Sequence, residues 1–288
     1  MIRFIDLFAG IGGFRLGIER ASKNLQIPVK CVFSSEIDKN PSTIYEKNFG
    51  DKPNGDITKI SSNEIGQFDI LCGGFPCQDV SYAGKKVGLY GSRTGLFFEI
   101  VRIAREKQPE ITFLENVRGL LTSNKGWDFA RVIVELENIG YEVEAELLNS
   151  RDFNIPQNRE RVYIIGHLRE GRARKIFPLK RSTRQIAQSV KTQTAIRYPI
   201  KYGRRNQRVI YGDYSYALDV MGTGGVYEFG KGVRHLTPIE RERLQGFPDN
   251  WTWTEDMTDN ARKKMLGNTV TVPVIESIAK NILTTMEL

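Results

Sequence analysis

Apolar residues in the first part of the chain fall into short continuous runs and into runs with helical spacing. The helical spacing predicts helices over Leu96–Lys107 and Trp127–Asn138, with Gly140 where a C-terminal cap belongs. Because strands and helices alternate, we expect an α/β fold with a parallel sheet covered by helices on both faces. The short runs predict six strands, at Arg3–Phe8, Val29–Ser34, Phe68–Cys72, Ile111–Leu114, Tyr141–Leu148 and Arg161–His167.

The alternating pattern stops after His167, which predicts a change of domain. Residues 169–235 are basic and rich in loop-forming residues. Thr237-Pro238-Ile239-Glu240 is typical of a capping box that begins a helix, and a last apolar helix is expected at about Val272–Met286, packed on the first domain. The predicted domains are therefore 1–172 completed by 264–288, and a smaller domain with its hinge at 173–263.

The composition excludes several classes of protein. No apolar run approaches the roughly 18 residues of a membrane span, so no membrane partner is expected. Three cysteines and two histidines make neither a disulfide framework nor a structural zinc site, so we expect a cytoplasmic protein without a metal.

Positive charge is concentrated in one internal segment. Residues 171–210 contain twelve Lys and Arg and no acidic residue, whereas the remaining chain has 30 basic and 34 acidic residues. A solvated surface would explain such a segment, but tyrosines lie among the charges. We interpret it as a surface that binds phosphates.

A glycine turn follows the first predicted strand and indicates a ligand site. Gly10, Gly12 and Gly13 allow a ligand to approach the backbone, and Glu36 ends the second strand, where a carboxylate can accept from ribose hydroxyls. Arg15 stands where a dinucleotide motif has its third glycine. The pattern favours an adenosine-containing ligand without a diphosphate over a mere tight turn.

Reactive side chains follow the third and fourth strands. Cys77 lies in a Gly-Pro loop at a strand end and is a candidate nucleophile, although a lone cysteine is more commonly a small buried residue. Glu115 could act as an acid, or the segment could simply provide Asn116 as a helix cap. Arg159 and Arg161 share one face of an extended segment and suit an anion, or else form a salt-bridged edge.

Six motifs, taken in order, resemble those of the DNA (cytosine-5)-methyltransferases of bacterial restriction–modification systems. This resemblance covers nearly the whole chain and implies a Rossmann-like S-adenosylmethionine-dependent methyltransferase sheet with a smaller target-recognition domain. The motifs are Asp6–Gly17, Gly74-Phe75-Pro76-Cys77-Gln78, Glu115-Asn116-Val117, Gln157–Arg161, Arg234–Pro248 and Gly267-Asn268-Thr269-Val270.

The resemblance also implies a mechanism. S-adenosylmethionine would be the methyl donor and a cytosine flipped out of double-stranded DNA the acceptor. Cys77 would add to carbon 6, Glu115 would bind ring nitrogen 3 and the exocyclic amine, and Arg159, supported by Arg161, would hold the base and offset charge. Loss of the carbon 5 proton would then expel the thiol.

Further binding residues follow from the same motifs. Glu36 would bind the ribose and Asp56 the adenine amine, and Asn268 and Val270 would close the cofactor pocket. The other cofactor residues would be Phe8, Gly10, Gly12, Gly13, Ile57 and Pro76, and the substrate residues Gln78, Ser81, Asn116 and Gln157. A monomer encoded by a bacterium or phage is expected, with a possible cognate endonuclease that forms no stable complex with it.

Three other functions remain open on the sequence. An RNA cytosine methyltransferase could use the same scaffold, although the Cys-Phe-Thr signature of the RNA-acting relatives is absent. A non-catalytic DNA-binding protein is disfavoured by the complete set of Cys77, Glu115 and Arg159. Arg15 disfavours a nicotinamide dehydrogenase.

Overall fold

The structure is a computed structural model that describes residues 1–75, 95–169, 175–179, 195–197, 215–216, 224–228 and 232–287. Its contacts group the chain into two compact units. The sheet unit comprises Met1–Leu148, Arg161–Leu179 and Ile275–Leu288, and the second unit comprises Asn149–Glu160 and Lys180–Val274. The predicted domain boundaries remain a prediction, because compact units are defined by contacts and domains by independent folding.

Six strands form the main sheet, close to the predicted positions. They are β1 (Ile2–Leu7), β2 (Val29–Ser35), β3 (Ile70–Gly74), β4 (Ile111–Val117), β5 (Tyr141–Asn149) and β7 (Glu160–Leu168). Their order across the sheet is β2-β1-β3-β4-β7-β5. Strands β1 to β4 pair in parallel, so their carboxyl ends lie along one edge.

The expectation of a wholly parallel sheet is wrong at β7, which runs antiparallel to β4. A parallel connection needs a crossover of a dozen or more residues, usually a helix. Between β5 and β7 the structure has only a 3-10 turn, Ser150–Phe153, and the two-residue strand β6 (Gln157–Asn158). A link this short favours a direct return of the chain, and the sheet is therefore mixed.

Helices cover both faces of the sheet, as predicted. The sheet unit contains α1 (Gly13–Leu25), α2 (Lys39–Phe49), α3 (Leu96–Lys107) and α4 (Trp127–Asn138), and α7 (Val272–Glu287) follows later in the chain. The predicted bounds of α3 and α4 are confirmed, and Gly140 has the positive φ of 99° that suits the residue after a helix.

Successive side chains of β4 point to opposite faces of the sheet. Leu114 belongs to the apolar cluster that contains Phe97 and Ile100 of α3. Phe113 points to the other face, where its ring centroid lies 5.0 Å from that of Phe14 in α1. On α1, a Cβ added at Gly17 would lie 2.7 Å from Cβ of Ile275, so α7 packs closely on α1 as the sequence predicted.

The described residues of the second unit form short strands and the helices α5 and α6. Strands β8 (Ala195–Arg197), β10 (Gly224–Glu228) and β11 (Gly232–His235) form one antiparallel sheet, and β9 (Ser215–Tyr216) pairs with β6. Helix α5 (Pro238–Gln245) begins with the predicted capping box, in which Thr237 and Glu240 bond reciprocally. Helix α6 (Asp259–Asn268) follows.

A buried ion pair connects α5 with α6. Glu242 is fully buried and accepts from Arg262 at 3.1 Å and from the backbone of Asn250 and Thr252 at 2.7 and 2.9 Å. These bonds compensate for burying the carboxylate and hold residues 250–252 beside α5. None of the helices in the described part of the chain has both the length and the apolar character that a membrane span requires.

Candidate active site

The glycine turn after β1 holds the carboxylate of Glu36. The backbone N–H of Gly10 donates to Oε2 of Glu36 at 2.8 Å, and that of Asp38 donates to Oε1 at 2.7 Å. Gly10 has a φ of 55°, which glycine adopts without strain. Backbone donors thus fix this carboxylate beside the turn, and a carboxylate has lone pairs enough to accept from a ligand hydroxyl as well.

The surroundings of this carboxylate fit an adenosine. Burial raises the pKa of Glu36. A Cβ added at Gly10 would meet only the carbonyl of Phe8, at 4.0 Å, so the turn leaves space for a ligand. Ile37 is 71% exposed and offers an apolar surface next to Glu36. Sequence reasoning missed Ile37, whose one available signal was an isoleucine between two acidic residues.

Gly12 and Gly13 begin α1 and are buried. Gly12 has a φ of 83°, and a Cβ there would lie 2.1 Å from Cε2 of Phe49. The guanidinium of Arg15 covers the ring of Phe49 at 4.3 Å and pairs with Asp51 at 3.0 Å. Arg15 therefore connects α1 with the end of α2. It is the residue that stands where a dinucleotide motif has its third glycine.

Asp56 and Ile57 lie on a segment attached to the end of β2. Asn54 accepts from the N–H of Glu36 and donates its own N–H to the carbonyl of Ser34, both at 2.8 Å. Asp56 then caps a 3-10 turn by accepting from Thr58, whose hydroxyl bond lowers the pKa of the aspartate. The side chain of Ile57 is buried in the core. Asp56 therefore lies two residues after Asn54, whose carbonyl accepts from the N–H of Glu36.

Glu115 lies two residues before the end of β4 and pairs with Arg161 at the start of β7. Nε of Arg161 lies 3.0 Å from Oε1 of Glu115, and both side chains are mostly buried. The other oxygen, Oε2, lies 3.4 Å from the position of a Cβ added at Gly74, the last residue of β3. The structure therefore holds this carboxylate between an arginine and the strand that leads to Cys77.

Asn116 connects β4 to Phe75, the residue that follows β3. Its Nδ2 donates to the carbonyl of Phe75 at 3.2 Å, and its Oδ1 accepts from the N–H of Val117 at 2.8 Å. Asn116 lies within β4 and is 1% exposed, so it is not a helix cap. The amide fixes the last described residue before the predicted nucleophile. Pro76, Cys77, Gln78 and Ser81 lie outside the described residues.

The remaining predicted residues lie in the second unit. Arg159 is 2% exposed and donates to the carbonyls of Gly267 at 3.2 Å and Thr269 at 2.6 Å, on either side of Asn268. Gln157 is fully buried and donates to the carbonyl of Leu244 at 2.6 Å. Asn268 is exposed and Val270 is buried. Arg159 thus holds the end of α6, where the predicted cofactor residues Asn268 and Val270 lie.

Comparison with known proteins identifies the family. A family model for C-5 cytosine-specific DNA methylase matches residues 2–207 and 183–284. The chain belongs to this family. The predicted family and the enzyme class, DNA (cytosine-5-)-methyltransferase, are thereby confirmed.

Two type II methyltransferases are similar to nearly all of this chain. The type II methyltransferase M1.ScrFI of Lactococcus lactis subsp. cremoris is 40% identical, over 99% of this chain and 79% of that protein. M.HhaI of Haemophilus parahaemolyticus is 35% identical, over 98% and 94%.

Solved structures confirm the predicted fold class. The Entamoeba histolytica methyltransferase EhMeth has a TM-score of 0.77 at 19% identity and covers 99% of this chain and 98% of its own. The Dnmt2 methyltransferase of S. pombe has a TM-score of 0.71 at 21% identity and covers 100% and 99%. At this level of identity the likeness concerns the fold alone.

Proposed function

We propose that this methylase transfers a methyl group from S-adenosylmethionine to carbon 5 of a flipped-out cytosine in a specific double-stranded DNA sequence, through a covalent adduct with Cys77. The observation that carries the proposal is the carboxylate of Glu115, held by Arg161 next to Gly74, three residues before Cys77 in the sequence. A carboxyl group beside the end of β3, the strand that precedes Cys77 in the sequence, suits activation of a pyrimidine ring.

Cys77 and Glu115 activate the cytosine in different ways. Carbon 5 of cytosine is a poor nucleophile. When the thiolate of Cys77 adds to carbon 6, the electron pair of the carbon 5–carbon 6 double bond becomes available at carbon 5. Glu115 favours this addition, because a carboxylic acid donates a hydrogen bond to ring nitrogen 3 and its other oxygen accepts from the exocyclic amine. Methyl transfer leaves S-adenosylhomocysteine; a water molecule then accepts the carbon 5 proton, the carbon 5–carbon 6 double bond re-forms, and Cys77 leaves as the thiolate.

The two arginines have separate tasks in this proposal. Arg161 bonds one oxygen of Glu115 and so orients that carboxyl toward the base. Arg159 offsets charge near the base, as the family motif implies, and also holds the carbonyls of Gly267 and Thr269 around Asn268. Asn116 positions the start of the nucleophile loop through Phe75.

The cofactor would be held mainly by the ends of β1 and β2. Glu36 accepts from the ribose hydroxyls, Asp56 accepts from the adenine amine, and the open backbone at Gly10 makes room for the chain of the cofactor. Ile37 covers the base with its exposed side chain. When bound, S-adenosylmethionine supplies the electrophilic methyl group that carbon 5 of the activated ring accepts.

Double-stranded DNA is the proposed partner. The twelve basic residues of segment 171–210 suit the phosphate backbone, so affinity should fall steeply with salt. The type II relatives support a role as a modification enzyme, with or without a cognate endonuclease, or as an orphan or phage enzyme. We further propose a cytoplasmic monomer that requires no metal. Within the described residues, no group of three or more metal-ligating side chains is arranged to hold an ion.

Transfer of a tritiated methyl group to duplex DNA tests the reaction. Wild-type protein should label cytosine, and bisulfite sequencing of DNA from expressing cells should reveal the recognised sequence. Cys77→Ser should abolish labelling, whereas Cys31→Ser, a matched change in β2, should retain it. Full labelling by Cys77→Ser would remove Cys77 as the nucleophile.

Covalent trapping separates the enzyme from a binding protein that kept the fold. DNA with 5-fluorocytosine at the target should form a complex that survives denaturation, since fluorine at carbon 5 cannot leave as the proton does. A protein that only binds DNA would form none. Transfer RNA serves as the competing substrate, and preferential labelling of it would contradict the assignment to DNA.

A further inference from the structure

Arg102 on α3 reaches the turn that follows Asp56. Its terminal nitrogen Nη2 donates to the carbonyl of Ile57 at 3.2 Å and to that of Ile60 at 3.0 Å. Its Nε donates to Glu99 on the same helix at 2.9 Å, which fixes the direction of the guanidinium. One side chain therefore holds both ends of this turn.

Helix α3 is a rigid support for that contact. Its residues Phe97, Ile100 and Ala104 are fully buried in the apolar core. A close-packed helix cannot shift without losing these contacts. Arg102 thus fixes the turn relative to the sheet rather than to another surface loop.

The turn itself is weakly held by its own backbone. Ile57–Lys59 is a three-residue 3-10 helix, a type with poor hydrogen-bond geometry. Its closing bonds run from Lys59 N–H to the Asp56 carbonyl at 3.0 Å and from Ile60 N–H to the Ile57 carbonyl at 3.3 Å. A second side-chain bond to α3, between Ser62 and Glu106, follows the turn. The position of Asp56 therefore depends on side chains from α3.

We propose that Arg102 is a positioning residue for recognition of the adenine base, acting through Asp56. This inference rests on the proposed function, in which Asp56 accepts from the exocyclic amine of the cofactor. Without Arg102 the turn loses two hydrogen bonds, and the carboxylate of Asp56 is no longer held where it accepts from the amine.

A pair of ligands that differ at that amine tests the inference. S-adenosylhomocysteine carries the amine, whereas S-inosylhomocysteine carries an oxygen there and cannot donate to Asp56 from its exocyclic group. Calorimetric titration of the full-length protein should give a preference of about ten-fold or more for the adenosyl compound in the wild type, because a charged acceptor loses its donor in the other complex.

Arg102→Met should weaken S-adenosylhomocysteine about ten-fold, change S-inosylhomocysteine little and so bring the ratio of the two dissociation constants close to one. Arg105→Met, an exposed arginine of the same helix, is the matched control and should keep the wild-type ratio. Asp56→Asn should lose the same preference, and adding Arg102→Met to it should cause little further loss.

The outcomes separate the inference from the proposed function. Arg102→Met that keeps the wild-type ratio, including one that weakens both ligands equally, would overturn the inference and leave the proposed cofactor intact. A wild type that binds neither ligand would overturn the proposed cofactor, and one that binds both equally would remove the role of Asp56 and the inference with it. If Arg102→Met does not fold, Arg102→Lys decides, since lysine keeps the charge but has no Nε to fix the direction of its ammonium against Glu99, and this variant should lower the ratio partway. An unchanged ratio in that variant would also overturn the inference.

Discussion

Nε of Arg161 lies 3.0 Å from Oε1 of Glu115, and the two residues belong to neighbouring antiparallel strands. Arg161 is paired in register with Val117, so the arginine reaches diagonally to the carboxylate two residues along β4. The remaining oxygen of Glu115 faces Gly74 at the end of β3. The pairing of β4 with β7 thereby sets the direction of the carboxyl that the proposed mechanism needs.

This relationship predicts non-additive effects on the rate of methyl transfer. Glu115→Gln should lower the single-turnover rate by about 10²- to 10⁴-fold, the usual contribution of a positioned acid. Arg161→Met should lower it less, because the carboxyl remains but loses its orientation. The double variant should be no slower than Glu115→Gln, since both changes act on one group. Additive losses would mean that Arg161 acts on the base independently of Glu115. Arg131→Met in α4 is the control and should leave the rate of methyl transfer unchanged.

Gly10 and Gly12, in the turn after β1, should differ in the substitutions that they tolerate. Gly12→Ala places a methyl group 2.1 Å from Phe49 at a φ of 83°, so the free energy of unfolding should fall by about 2–5 kcal/mol. Gly10→Ala has a φ of 55° but open space, so only the backbone cost of about 1–2 kcal/mol should appear. Urea denaturation measures both, and equal losses would contradict the close contact with Phe49.

Affinity for the cofactor product should depend on pH through Glu36. Burial raises the pKa of this carboxyl, so it takes up a proton at a higher pH than an ordinary glutamate with a pKa of about 4.3. Protonation removes an acceptor for the ribose hydroxyls, and the affinity for S-adenosylhomocysteine should fall as the pH falls through the raised pKa. Glu36→Gln should bind weakly at every pH with a flatter profile. Glu46→Gln, an exposed change in α2, should behave like the wild type.

Stability should depend on pH through Asp6, which is fully buried in β1. Burial raises its pKa well above the usual value, while the charge of Arg15 opposes the shift. The folded state therefore holds a proton that the unfolded state releases above its own pKa of about 3.9. From there to the raised pKa, wild-type stability should fall with rising pH by about 1.4 kcal/mol per unit relative to Asp6→Asn. A difference between the two proteins that stays constant over this range would refute the buried proton.

Local patterns of the sequence were sufficient for the strands of the main sheet and for helices α3, α4, α5 and α7, but not for α2 or α6. The bounds of α3 and α4 and the capping box at Thr237 follow from hydrophobic spacing and capping chemistry, whereas β4 extends to Val117, past the predicted end at Leu114. These signals are local because a helix or strand face repeats within a few residues. The six motifs, in their order along the chain, were sufficient to predict the family.

Contacts between distant segments could not be predicted in the same way. The sequence treated Arg159 and Arg161 as one pair on a shared face, whereas in the structure Arg161 bonds Glu115 and Arg159 bonds carbonyls near the end of α6. Likewise the antiparallel direction of β7 and the bond from Arg102 to the turn after Asp56 depend on which elements become neighbours.

The amino-acid sequence by itself therefore determined the main-sheet strands and several helices of this methylase, its family and the residue types near its strand ends. The tertiary structure alone decided which arginine meets Glu115, how Glu36 is held and which helix supports Asp56. The physical reason is that periodicity and capping act over a few residues, whereas strand order and packing join groups separated by 26 residues at Gly10 and Glu36 and by 45 at Ile57 and Arg102.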